Sequence, residues 1–91
     1  MEMTTLQLKI INKLGLHARA AAKVVHLANE FEAEIFLGIE GEEINAKSIL
    51  GLLTLAATKG TPLTLRVVGP DEATAAAAIE DLFKNRFGEG E

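Results

Sequence analysis

His17 and Arg19, two residues apart, are the side chains of this chain best suited to chemistry. They lie in Asn12-Lys13-Leu14-Gly15-Leu16-His17-Ala18-Arg19-Ala20-Ala21-Ala22, where a strand-like run over 6–11 gives way to a helical run. That helical run is expected to begin just after Gly15 and to continue to about Phe31, which puts His17 where a loop becomes a helix. The first N–H groups of a helix lack intrahelical partners and the positive end of its dipole points outward, so such an end receives anions. An imidazole there, with a guanidinium close by, suits reversible phosphorylation of the ring: a nitrogen nucleophile with fixed donors around the phosphoryl oxygens. The plain alternative is a capping or surface histidine, with Arg19 an ordinary residue of the helix's polar face.

The elements around the loop follow from periodicity. Leu6, Leu8 and Ile10 alternate with Gln7 and Lys9, the pattern of a half-buried strand. Ala21, Val24, Val25, Ala28 and Phe31 form the apolar stripe of a core-facing helix, with Arg19, Lys23, His26 and Glu30 pointing elsewhere. Ile35, Leu37 and Ile39 form a second alternating strand, Glu40-Gly41 a tight turn, and 42–45 a short return with Ile44 inward. Residues 48–56 are expected to form a short helix with Ser48 as its N-cap. Ile49, Leu50, Leu52, Leu53 and Leu55 are too many apolar side chains for one buried stripe, so some should be exposed as a docking surface. A turn over 58–61 leads into a fourth strand, with Leu63, Leu65 and Val67 alternating with Thr64 and Arg66. After Gly69-Pro70, Asp71 and Glu72 bring negative charge to the start of a last helix with Ala76, Ile79, Leu82 and Phe83 inward and Gly88 as its C-cap. The order β-α-β-β-α-β-α predicts an α+β fold, an antiparallel four-stranded sheet with three helices on one face.

Composition narrows the functions this fold can serve. Ninety-one residues suffice for a single domain, 1–91, with 1–4 and 88–91 expected to fray. At 48% hydrophobic and 24% charged residues, the chain has the composition of a folded globular domain. Without cysteine, disulfide and thiolate chemistry are excluded and a cytoplasmic location is compatible. The longest apolar run, 49–57, is too short to span a bilayer, and no signal-peptide pattern opens the chain, so no membrane association is expected. A net charge of −4 argues against nucleic acid as a partner, while Lys13, His17, Arg19 and Lys23 can still form a local basic patch.

Gly15-Leu16-His17-Ala18-Arg19 resembles the active-site motif of HPr, the histidine-containing phosphocarrier of bacterial phosphotransferase systems, and Lys47-Ser48-Ile49-Leu50-Gly51 resembles that family's second motif. The element order is similar as well, from Leu6 to about Phe87. The resemblance implies that His17 takes a phosphoryl group on Nδ1 from phosphorylated enzyme I, itself charged by phosphoenolpyruvate, and passes it to a histidine of an enzyme IIA-type acceptor. Arg19 would balance the phosphoryl charge, with the N–H groups of Ala18 and Arg19 as further donors. Ser48 is the counterpart of the serine that HPr kinase/phosphorylase modifies in some bacteria, and Ile49, Leu50 and Leu53 correspond to apolar contacts with partner proteins. A phosphate on Ser48 would suit the helix dipole and put charge beside the apolar patch, altering partner choice. One position departs: Ala20 stands where the family usually has proline, which restores a backbone donor in the first turn. The chain is therefore expected to be a monomeric stoichiometric carrier with no cofactor or metal of its own, serving sugar uptake or a regulatory phosphorelay. The rival is a regulatory binding module acting through Ser48 alone; the presence of both His17 and Arg19 argues against it. A small hydrolase or metal enzyme has little support, since no second ligand lies at metal-binding spacing from His17.

Overall fold

The computed structural model describes residues 2–91. Strand β1 (Met3–Lys9) is followed by helix α1 (Ala18–Ala28), strands β2 (Glu34–Ile39) and β3 (Glu42–Asn45), helix α2 (Ile49–Leu55), strand β4 (Pro62–Val68) and helix α3 (Glu72–Lys84). The strands form one antiparallel sheet in the order β1-β4-β2-β3. Its inward residues, Leu8, Ile35, Leu37, Leu63, Leu65 and Val67, are buried against Ala20, Ala21, Val24, Ala28, Ala75, Ala76, Ile79 and Phe83 of the helices. The opposite face is open. There Arg66 lies over the Phe36 ring and makes a two-pronged ion pair with Glu43 across the strands, a pairing that ties β4 to β3 through a guanidinium fork.

This is the α+β open-faced sandwich the periodicities predict, with shifted boundaries. β1 starts at Met3 and ends at Lys9, three residues earlier and two residues shorter at its end than the 6–11 run, because its register on β4 runs from Met3↔Val68 to Lys9↔Pro62. Proline has no N–H to extend a ladder, and Ile10 instead exchanges bonds with Thr61 and Gly60 in the turn beyond. α1 stops at Ala28 because Glu30 and Phe31 bond back three residues rather than four, a tightening common in last turns. Gly88 does not cap α3, which ends at Lys84 with Asn85 as its cap; it closes a separate 3-10 turn over Arg86–Gly88 by donating to the Asn85 carbonyl at 3.1 Å.

The termini expected to fray are held. Met1 lies outside the described residues. Met3 and Thr4 belong to the β1–β4 ladder, the Thr4 hydroxyl donates to the Glu72 carboxylate, and Gly69 N–H donates to the Glu2 carbonyl at 3.0 Å. At the other end Phe87 is buried and packs edge-to-face on Phe83, ring centroids 4.9 Å apart. Arg86 and Phe87 both adopt positive φ, 60° and 57°. Two successive left-handed residues are unfavourable for side-chain-bearing amino acids; burying the Phe87 ring offsets that strain and turns the tail back over α1.

Asp71 stands at the start of α3, as expected, with its carboxylate engaged beyond the helix. Its carboxylate makes no side-chain capping bond to α3. It reaches the N–H groups of Glu32 at 2.9 Å and Ala33 at 2.8 Å and so fixes the α1–β2 connection. The Glu32 N–H, with help from that of Ala33 and against partial desolvation, holds the Asp71 carboxyl below its ordinary range. A group whose folded pKa is depressed stabilises the fold fully above the unfolded value of about 3.9 and loses that contribution as pH falls through the lower folded value. In urea titrations Asp71→Ala is therefore expected to be less stable than wild type at pH 7, the gap closing in acid. A gap independent of pH would show that the carboxylate is not what fixes the connection.

Candidate functional site

The loop between β1 and α1 is held from both sides. Gly15 sits at φ +71° with its α-carbon against the Ala57 carbonyl and Thr58, where an added Cβ would fall 2.5 Å from that oxygen. The next residue, Leu16, donates its N–H to the same carbonyl at 2.8 Å and buries its side chain. Ala57 immediately follows the left-handed cap residue of α2, Ala56. The histidine loop is thus stitched to the exit of α2, and α1 packs against α2.

His17 is the N-cap of α1, with φ −78° and ψ 178°, and its carbonyl accepts the first helical bond from Ala21 N–H at 2.8 Å. Nδ1 turns back over the helix start and accepts from the Arg19 N–H at 3.3 Å. A nitrogen that receives an N–H must present its lone pair, so the ring proton resides on Nε2. The first turn of α1 contains no acidic residue to neutralise the positive end of its dipole. The N–H groups of Ala18, Arg19 and Ala20 are the first three of the helix, which by position have no intrahelical acceptor. Arg19 is exposed and its guanidinium has no ion-pair partner among the described residues. The His17 side chain keeps 26% of its surface open.

Two residues of this site were not legible as such in the sequence. Glu89, in the acidic tail, places its carboxylate on His17 Nε2. Asn12, fully buried at the end of the β1 segment, donates its amide to the other Glu89 oxygen at 2.8 Å and to the Gly15 carbonyl at 2.9 Å. The Asn12 amide, then the His17 ring, hold the Glu89 carboxyl below the ordinary glutamate range, with Lys23 adding to the effect and desolvation opposing it. Glu89 is therefore anionic at neutral pH. Lys23 fastens the segment by donating Nζ to the Phe87 carbonyl, and Lys13 does so through its N–H to the Glu91 carbonyl and a looser ion pair with the Glu91 side chain. The basic patch anticipated from Lys13, His17, Arg19 and Lys23 is thus largely occupied by the tail, with Arg19 left over.

Ser48 is the N-cap of α2, its Oγ accepting from the Gly51 N–H at 3.2 Å. Of the apolar residues of α2, Leu52 is buried, while Leu50 is 74% exposed and Ile49 and Leu53 are just over a third exposed. Leu14, in the histidine loop, is also exposed, at 66%.

The fold and site together define an open-faced α+β sandwich whose first helix is capped by a histidine with Nδ1 at the helix start. A family model described as the HPr component phosphorylation site of the phosphotransferase system matches residues 4–85. The phosphocarrier protein HPr of Xylella fastidiosa is 49% identical over 83 residues, covering 91% of this chain and 93% of its own. That of Pseudomonas aeruginosa is 47% identical over 90 residues, covering 98% and 100%. The crystal structure of HPr from Thermoanaerobacter tengcongensis superimposes with a TM-score of 0.89 at 38% identity, covering 100% of both chains. The chain belongs to the HPr family, the phosphocarrier proteins of the phosphotransferase system.

Proposed function

We propose that His17 is the phosphoryl carrier of this chain, accepting the group on Nδ1 from phosphorylated enzyme I and yielding it to a histidine of an enzyme IIA-type acceptor. The observation that carries this reading is the orientation of the ring, with Nδ1 turned toward the Arg19 N–H at the start of α1. In the forward step the Nδ1 lone pair attacks phosphorus, the bond from phosphorus to the enzyme I donor atom breaks, and its electron pair leaves on that atom. The Arg19 N–H then has a phosphoryl oxygen to bond in place of the nitrogen, with the Ala18 and Ala20 N–H groups beside it and the Arg19 guanidinium to balance charge. Ala20, where proline would have no N–H, adds to this set. Phosphoryl transfer depends on positioning and charge stabilisation more than on covalent help from the protein, and a carrier must release what it accepts, which suits a shallow site.

The chain works as one domain and a single copy, in the cytoplasm, without a cofactor of its own. Leu50, Ile49, Leu53 and Leu14 form the surface on which both partners dock in turn. Ser48 is a site for regulatory phosphorylation by an HPr kinase: its half-buried hydroxyl caps the helix that carries Leu50 and Leu53, so a dianion there would repel an apolar partner without unfolding α2. Incubation with enzyme I and phosphoenolpyruvate should add one phosphate by intact mass, removed by mild acid as a phosphoramidate is. Phosphate stable to acid, or none added, would overturn the reading. Leu50→Glu is expected to leave thermal stability unchanged while raising the KM of enzyme I for this chain about tenfold, the loss typical of a central apolar contact. An unchanged KM would remove α2 from the docking surface.

A further inference from the structure

The geometry points to Glu89 as a positioning residue for His17, one that keeps the proton on Nε2 throughout the transfer cycle and so lets the ring depart as neutral imidazole when the phosphoryl group is passed on. The inference rests on the carrier reading above and names a residue that reading does not require. The contacts form a chain: Asn12 Nδ2 donates to one Glu89 oxygen, His17 Nε2 to the other, and His17 Nδ1 accepts from Arg19 N–H on the opposite side of the ring. Asn12 is completely buried, so the far end of this chain is fixed by the core. Phe87, also buried, anchors the tail only two residues before Glu89. The ring is therefore gripped at both nitrogens by groups of opposite character, a donor at Nδ1 and an acceptor anion at Nε2, and only one tautomer satisfies both.

The consequence lies in the release step. When phosphorus leaves His17, its bond to Nδ1 breaks, the electron pair returns to Nδ1, and an imidazole nitrogen of the acceptor forms the new bond. If Nε2 carries its proton, the departing ring is neutral imidazole. If Nε2 has lost it, the ring departs as imidazolate, a far poorer leaving group. An anion against Nε2 holds the proton there, so Glu89 favours departure as neutral imidazole. The other charged groups around the ring are Arg19 and Lys23 on α1 and the Lys13–Glu91 pair of the loop and tail; α2 brings no ionisable side chain. Glu89 is the one anion in contact with the ring among the described residues.

The test uses the full chain as wild type, Glu89→Gln and Glu89→Ala, each phosphorylated by enzyme I and discharged to an enzyme IIA-type acceptor between pH 6 and 9. Ring nitrogen shifts of the unphosphorylated proteins are recorded in parallel. Wild type is expected to show the Nε2–H tautomer and Glu89→Ala a mixture. Glu89→Gln, which keeps an acceptor oxygen but no charge, should retain the tautomer yet discharge about tenfold more slowly at alkaline pH. A Glu89→Gln profile superimposable on wild type would overturn the inference, whatever the tautomers. Failure of the wild type itself to be charged would instead overturn the carrier reading.

Discussion

His17→Ala is expected to take up no acid-labile phosphate from enzyme I and phosphoenolpyruvate, while folding as wild type does. The side chain is a helix cap near the surface of the fold, so its removal loses one capping bond, worth about 1 kcal/mol, and the contact with Glu89, and leaves the core intact. Chemistry, by contrast, loses its nucleophile, for which nothing nearby substitutes. His26 is exposed in the last turn of α1, against Glu30 rather than at the helix start, and Ser48 lies on another helix with its hydroxyl committed to Gly51. Arg19→Ala separates nucleophile from environment: Nδ1 and the backbone donors remain, so charging should persist at a rate about 100-fold lower, the usual loss for one charge-stabilising donor. Intact mass over a time course distinguishes the two. Equal loss in both variants would mean that the guanidinium is as indispensable to charging as the ring; phosphate on His17→Ala would place the acceptor elsewhere.

Gly15→Ala is expected to be the most damaging small substitution near the site. The new methyl group would stand 2.5 Å from the Ala57 carbonyl oxygen and 3.0 Å from the Thr58 Cα, both backbone atoms, at a residue whose φ is +71°. Left-handed backbone disfavours L-residues by about 1–2 kcal/mol, and forcing apart two packed segments adds about 1–3 kcal/mol. Together these lower stability by about 2–5 kcal/mol, or roughly 10–30 °C in Tm for a domain of this size. Charging of His17 should slow as well, because the bond from Leu16 N–H to Ala57 is what registers the histidine loop on α2. Gly41→Ala is the internal control, since Gly41 has a similar φ of +85° and nothing within 4 Å of its would-be Cβ; it should lose only the backbone share. If the two variants melt alike, close packing at Gly15 is not what holds the loop.

How far the sequence carried these conclusions depends on the element. The change of period from two residues to three or four across Gly15 located the loop and the cap, and Ser48 before an apolar run located the second cap, because both signals are local. The surplus of leucines in α2 foretold the exposure of Leu50 for the same reason: a short helix has only one buried stripe. What failed were relations between distant segments. The tail over 88–91 has no periodicity and the composition of a frayed end, and its course is set by the burial of Phe87 and by left-handed Arg86 and Phe87, a conformation that non-glycine residues do not advertise. Asn12 looked like an ordinary turn residue, and only the return of Glu89 reveals that its buried amide orients the site. Asp71 does bring charge to the start of α3, but its bonds to the Glu32 and Ala33 N–H groups just past α1 join segments distant in sequence and leave no local sign.

The measurement closest to the central claim is phosphorus–nitrogen coupling in the ¹⁵N-labelled protein after charging from phosphoenolpyruvate through enzyme I. The expected result is one phosphorus coupled to Nδ1 of His17, lost together with the phosphate when an acceptor is added. Phosphorus on Nε2, on the Ser48 oxygen or on no residue at all would contradict the account, because each requires a nucleophile other than the ring nitrogen at the start of α1.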